Sequence, residues 1–348
     1  MRALVYHGPG RLELEDRPDP QPGAGEVVAR VLAAGICGTD LRIAKGAHRA
    51  YADGAQRIPG HEIAAEVVAV GTGAAGELAE GDRVFVAPNL SCGHCRACVA
   101  GHRNLCENFE AFGITFDGAF AEYLRIPADA VAQGNVLPVP AGADAAAVSA
   151  VEPLACVLRG QRAVGLREGD AVLVCGAGPI GLLHAVLARA TGASTVLVSE
   201  PSPVRREEAA ELAGAVGIDP TAEDLRERVL EETGGRGADV VITAVPVRAV
   251  QEQALDAAAI GGRINFFGGL PKDASRIEID SNDVHYRELT ITGTTANDTD
   301  DCRQALALAT SGRVDLQRLV TARFPLDRAD EAFAAAAGGS ELKVVIEP

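Results

Sequence analysis

AVLVCGAGPIGLLHAVLARATG, residues 171–192, changes its hydrophobic period halfway along. Ala171 to Cys175 is an unbroken apolar run of strand length, whereas Pro179 to Ala190 spaces its apolar residues as a helix does. Between them lies Gly176-Ala177-Gly178-Pro179-Ile180-Gly181, a GxGxxG turn set between strand and helix. Gly176 permits the tight turn, Gly178 lets a pyrophosphate approach the backbone, and Gly181 lets helix and strand pack closely. The helix that opens at Pro179 and Ile180 turns its N–H groups and positive dipole end toward such an anion. An ordinary strand–helix turn is the bland alternative, and the flanking pattern argues against it.

The next strand, TVLVSE, ends on Glu200. A carboxylate there would accept hydrogen bonds from an adenosine ribose and repel a 2′-phosphate, which favours NAD over NADP. Arg205 and Arg206 lie close by and pull the other way. The rhythm continues with helix PVRREEAAELAG, strand DVVITAV, helix VRAVQEQALDAAA and strand RINFFGG. It predicts an α/β domain with a doubly wound parallel sheet over residues 154–295. Val245, Phe267 and Gly268 follow its later strands and are candidates to line the dinucleotide.

Upstream, residues 1–153 hold short apolar strands such as EVVARVLAAG, EIAAEVVAVG and DRVFVAP, which suit a β-rich, barrel-like domain. Residues 296–348 return to helix and loop and close on LKVVIEP. That tail is too short for a core of its own, so it is expected to pack back on the first domain. With 348 residues, 47% hydrophobic and 23% charged, the chain reads as globular with two domains. A net charge of −16 argues against nucleic-acid or anionic-membrane partners. No secretory leader is visible and no apolar run approaches the roughly 18 residues of a membrane span, so a cytoplasmic protein is expected.

Eight cysteines are present, and Cys92, Cys95, Cys98 and Cys106 form one tight cluster with intervals of three, three and eight. Four thiolates so spaced can close a tetrahedral zinc site, which leaves no position for substrate and is therefore structural. It would pin a lobe over residues 88–108. Free loop cysteines and an iron–sulfur cluster are the weaker alternatives. Cys156, Cys175 and Cys302 read as small apolar fillers. A second, dispersed set is Cys37-Gly38-Thr39-Asp40, Gly60-His61-Glu62 and Glu152-Pro153. Together these offer a thiolate, an imidazole and carboxylates, the donors of a catalytic zinc with an exchangeable position. Glu152 stands at the predicted domain junction, where a cleft is expected.

With GICGTD, PGHE, the four-Cys lobe, VEPLAC and VCGAGPIG in that order, the chain resembles the zinc-dependent medium-chain dehydrogenase/reductase family over essentially its whole length. The resemblance implies a GroES-like catalytic domain interrupted by a Rossmann domain, two zinc ions per subunit (one catalytic, one structural) and a homodimer or homotetramer. It also implies roles for single residues. Cys37 and His61 would ligate the catalytic zinc, Glu62 and Glu152 would bind it directly or through water, and Thr39 would hydrogen-bond the substrate hydroxyl. Asp40 would support the metal site from behind. A Glu at 152 is similar to the polyol and threonine dehydrogenase branches.

Two positions depart from the family's pattern. Arg42 stands where many members carry a proton-relay His, and Gly293-Thr294-Thr295-Ala296-Asn297 lacks the Arg of sorbitol dehydrogenases. The expected activity is hydride transfer between a secondary alcohol (a polyol, cyclitol or sugar alcohol) and the nicotinamide, with a ketone as the other partner. An L-threonine-type dehydrogenase is the rival within the class. A zinc-stabilised NAD-binding scaffold or sensor is the rival outside it, and a zinc-free quinone reductase is opposed by both metal sets. Phe116, Phe120, Tyr51 and His48 are weaker candidates for the substrate pocket.

Overall fold

The computed structural model describes residues 1–51 and 54–348, and the chain divides into two compact units. One comprises Met1–Ala155 and Asn297–Pro348, the other Cys156–Ala296.

In the second unit all six strands are parallel. Their spatial order is Val216–Ile218, Thr195–Ser199, Ala171–Cys175, Ala238–Thr243, Ala258–Phe266 and Thr290–Gly293. The first strand in sequence, Ala171–Cys175, is buried at every position, as a strand covered on both faces must be. The winding reverses between it and Ala238–Thr243, so the sheet's switch point lies beside the GxGxxG turn at their carboxyl ends. Strands Val216–Ile218 and Thr290–Gly293 carry no clear signal in the sequence. The first is three residues long with a central glycine, and the second lies at the sheet edge with no buried residue.

Helix Pro179–Ala190 buries Leu182, Leu183, Leu187 and, unexpectedly, His184. The imidazole is wholly buried, meets the Phe267 ring edge-on at 4.6 Å, and leaves Nε2 without a hydrogen-bond partner. Burial pushes its pKa down to about 3. In the unfolded chain a His titrates near 6.5, so below that pH the unfolded state takes up a proton that the folded unit refuses. The stability is complete above about pH 6.5 and is lost as pH falls toward the folded value. At pH 5 this residue alone should cost about 2 kcal/mol. Urea midpoints of the wild type and His184→Leu, compared at pH 7.5 and 5.0, check this. Equal acid losses in the two proteins would sink it.

In the first unit the main sheet runs in the order Val320–Pro325, Lys343–Glu347, Val27–Gly35, Glu62–Val70, Arg83–Val86 and Val136–Pro138, with Tyr123–Ile126 also paired to Val27–Gly35. Its core includes Val31, Ile63, Val86, Leu124 and Ile346. Phe120 belongs to this core and meets Phe333 at 5.7 Å, while Phe116 packs on Phe112, so both have packing roles. Tyr51 is likewise buried beside Tyr6 and Ile43, and its hydroxyl donates to Gly113 O. One register matters most for the site. Strands Val27–Gly35 and Glu62–Val70 are antiparallel with Gly35 opposite Glu62. Cys37, just past the end of one strand, therefore lies beside His61, just before the start of the other. The last strand pairs with the same end, Val345 opposite Gly35.

Candidate metal centres and dinucleotide loop

Cys37, two residues past its strand, caps helix Gly38–Ala44, with its N–H donating to Asp40 Oδ2 at 2.9 Å. Asp40, fully buried, also accepts from Gly60 N–H at 3.3 Å and lies 3.5 Å from His61 Nδ1. One carboxylate thus orients the segments that carry Cys37 and His61. The thiol of Cys37, a ring nitrogen of His61 and a carboxylate oxygen of Glu62 lie within 4.8 Å of one another. Glu62 Oε2 is buried without a hydrogen-bond partner, and His61 Nδ1 has only Asp40 at 3.5 Å. Buried orphans of this kind are costly unless something else binds them, and a soft–borderline donor set of S, N and O suits zinc. Burial opposes charge on His61, yet Asp40 and Cys37 push its pKa well above the usual value. The pocket therefore attracts positive charge.

Glu62 Oε1 is held at 2.5 Å by Lys343 Nζ, which also donates to Ile36 O at 3.2 Å. Both side chains are buried, a pairing that sequence reasoning missed. Burial raises the Glu62 pKa and Lys343 works against that rise, while on Lys343 the nearby anions outweigh burial and raise its own. The available signal was a lysine inside the apolar strand LKVVIEP, since a buried ammonium needs a partner. Glu152 is not part of the Cys37–His61–Glu62 trio, but its charge contributes to the raised pKa of both Glu62 and Lys343. Glu152 Oε1 accepts from Asn297 Nδ2 at 2.6 Å. Thr39 Oγ1 accepts from Arg42 Nη2 at 3.0 Å. His48, half-buried, has its pKa lowered by burial and by Arg42 and Arg49.

Gly35 shows how tightly Glu62 is seated. A β-carbon added there would stand 1.9 Å from Glu62 Oε2. Gly35→Ala should displace the carboxylate, lower the melting point by overpacking worth about 1–3 kcal/mol, and reduce zinc retained after dialysis. Full retention with an unchanged melting curve would refute this.

The four clustered cysteines also converge. Sγ atoms of Cys95 and Cys98 are 3.4 Å apart, and Cys92–Cys98 and Cys95–Cys106 are each 4.0 Å apart. These are too long for disulfides, and they bracket the ~3.8 Å edge of a tetrahedron with ~2.3 Å Zn–S bonds. Cys95 N–H and Asn108 N–H each point at a thiol sulfur, at 3.3 Å. Backbone donors of this kind bring the Cys92 thiol down to about 6, whereas burial pushes Cys106 up to about 12. A third group, His7, Glu13 and Glu15 on the first hairpin, is different in kind. Arg11 and Arg17 already pair its two carboxylates.

In the dinucleotide loop, Gly176 has φ +102°, and a side chain there would run into Val245. At Gly181 a β-carbon would sit 1.9 Å from Gly176 O, so helix and turn touch backbone to backbone. Gly178, the helix N-cap ahead of Pro179 and Ile180, faces open space, with Arg205 Nη1 3.9 Å from its β-carbon position. That open cradle fits a pyrophosphate. Glu200 lies one residue past its strand, and its carboxylate accepts from Ala177 N–H at 2.8 Å and Ser202 N–H at 3.0 Å. The two arginines have separate tasks. Arg206 binds Glu200 O, Pro201 O and Asp219, while Arg205 reaches the glycine loop. Phe267 packs on His184, and Gly268 donates to Thr243 O at 2.8 Å, which gives both structural duties.

Comparison with known proteins agrees with this architecture. Residues 23–141 match the alcohol dehydrogenase GroES-like domain and residues 179–311 match the zinc-binding dehydrogenase family. The chain is 36% identical to an L-threonine 3-dehydrogenase of Pyrococcus horikoshii, covering 99% of this chain and 98% of that one. It is 32% identical to a sorbitol dehydrogenase of Halalkalibacterium halodurans, covering 100% and 99%. A solved structure from Sinorhizobium meliloti 1021, described as a zinc-binding dehydrogenase bound to NADP, superposes with a TM-score of 0.92 at 33% identity, over 100% of this chain and 99% of that one. The chain belongs to the zinc-dependent medium-chain dehydrogenase/reductase family, in the branch of the threonine and polyol dehydrogenases, and is an alcohol oxidoreductase.

Proposed function

We propose that the protein oxidises a secondary alcohol of a polyol, cyclitol or sugar alcohol with NAD, using a catalytic zinc at Cys37, His61, Glu62 and Glu152 and a structural zinc at Cys92, Cys95, Cys98 and Cys106. The observation that carries this reading is the Cys37–His61–Glu62 trio within 4.8 Å, with Glu62 Oε2 buried and lacking a partner. When bound, zinc supplies a Lewis acid that lowers the pKa of a substrate hydroxyl, and the nicotinamide accepts the hydride.

The chain's own residues do the rest. Thr39 Oγ1 has two lone pairs. Arg42 Nη2 takes one, and the other receives the substrate hydroxyl. Arg42 cannot itself accept a proton, so the Thr39 hydroxyl would take the substrate's proton and give its own to solvent water, with residue 42 only orienting it. Asp40 holds Cys37 and His61 in place. Glu200, fixed by two backbone donors beside the glycine loop, supports NAD, although the Sinorhizobium relative holds NADP.

L-Threonine is the second reading, favoured by the 36% identity to the Pyrococcus enzyme. NADH and NADPH formation across a panel of polyols, cyclitols and L-threonine, with zinc counted on the same protein, tests both. A polyol or cyclitol turned over with NAD, with about two zinc ions per chain, is expected. Turnover of L-threonine alone would replace the first reading by the second. No turnover with any substrate would refute both.

A cytoplasmic homodimer or homotetramer completes the proposal. Four cysteines clustered as a metal site rather than spread as a disulfide framework support a reducing compartment. Among the described residues no helix is long and apolar enough to cross a membrane. Ile260 and Tyr286, 82% and 77% exposed, support a contact with a second copy. Light scattering checks the mass.

A further inference from the structure

Gly293-Thr294-Thr295-Ala296-Asn297 has no charged side chain, yet it delivers a residue to the proposed metal centre. Ala296 sits at φ +52°, the left-handed region that an alanine enters only when its surroundings demand it. The next residue, Asn297, is completely buried. Its Nδ2 donates to Glu152 Oε1 at 2.6 Å and lies 3.3 Å from Glu152 O. Its Oδ1 accepts from Asn89 Nδ2 at 2.8 Å. Asn89 Nδ2 also donates to the backbone oxygen of Asn297 at 3.1 Å. A carbonyl accepts only, so that bond fixes the Asn89 amide, which in turn fixes Asn297 with its nitrogen toward Glu152. Asn89 is itself gripped, since its backbone carbonyl accepts from Asn135 Nδ2 at 2.9 Å. It lies three residues before Cys92, at the entry to the four-cysteine lobe.

We infer that Asn297 is the positioning residue of Glu152, and that Asn89 extends this hold to the lobe carrying the structural cysteines. The inference rests on the zinc-dependent reading above. A carboxylate anchored through one oxygen meets a metal in one orientation. Without the anchor it swings, and the metal is held less long. Groups behind a ligand typically change affinity or turnover by about 10- to 100-fold.

The test uses purified holoenzyme. Zinc release to a chelator is followed as two phases, together with the visible spectrum of protein reloaded with cobalt(II) and with kcat and KM. Asn297→Ala and the isosteric Asn297→Asp should speed the catalytic-zinc phase about 10-fold or more and shift the cobalt spectrum. They should lower kcat more than they raise KM. Asn89→Ala should move each readout the same way by less, and it decides the matter if the 297 variants do not fold. Wild-type release rates and spectra in folded variants would overturn this inference alone. A wild type holding only about one zinc would overturn the zinc-dependent reading and this inference with it.

Discussion

Replacing Cys37 by serine should leave a folded protein that retains about one zinc per chain and has lost ~10³-fold or more in kcat/KM. The thiolate is the softest donor of the trio, and a serine hydroxyl is a poor zinc ligand at neutral pH. Cys37 is only part-buried and its backbone N–H is held by Asp40, so the substitution should not disturb the core. The four-cysteine lobe is a separate cluster and should keep its metal. Zinc analysis, a melting curve and turnover on one preparation separate the outcomes. Turnover within about tenfold of wild type would mean that Cys37 is not where the chemistry happens.

Lys343→Met should produce a large loss of stability. The ammonium is buried against Glu62, and removing it strands a buried carboxylate, for which about 3–5 kcal/mol is typical. Methionine fills most of the volume, so the effect reports charge rather than a cavity. Pairing it with Glu62→Gln should recover part of the loss, because the double variant leaves no unpaired charge. Denaturant midpoints of both singles and the double are the measurement. Additive losses would show that the two groups are not coupled.

Most of the nucleotide-binding unit was legible because its signals are local: an apolar run, a glycine turn and a helical stripe within 171–192. The same locality made the four cysteines readable. Cys37, His61 and Glu62 were legible as a dispersed donor set, with ligand roles supplied by resemblance, but their meeting depends on the Gly35–Glu62 register, a pairing of positions 27 apart that composition does not encode. Lys343 and Asn297 escaped because each acts through a partner far away, 281 and 145 residues off respectively. Short strands such as Val216–Ile218 escaped for another reason. Sheet context rather than residue preference makes them strands.

The span between Glu62 and Lys343 has a consequence for biosynthesis. At ~5–20 residues per second, a ribosome needs roughly 15–55 s to travel from one to the other. During that interval the intervening segment that binds the nucleotide, continuous in sequence, can fold by itself, while the carboxylate waits for a counter-charge not yet translated. The proposed centre is then among the last parts of the nascent chain to be secured, because Glu62 gains its buried counter-charge only when Lys343 emerges.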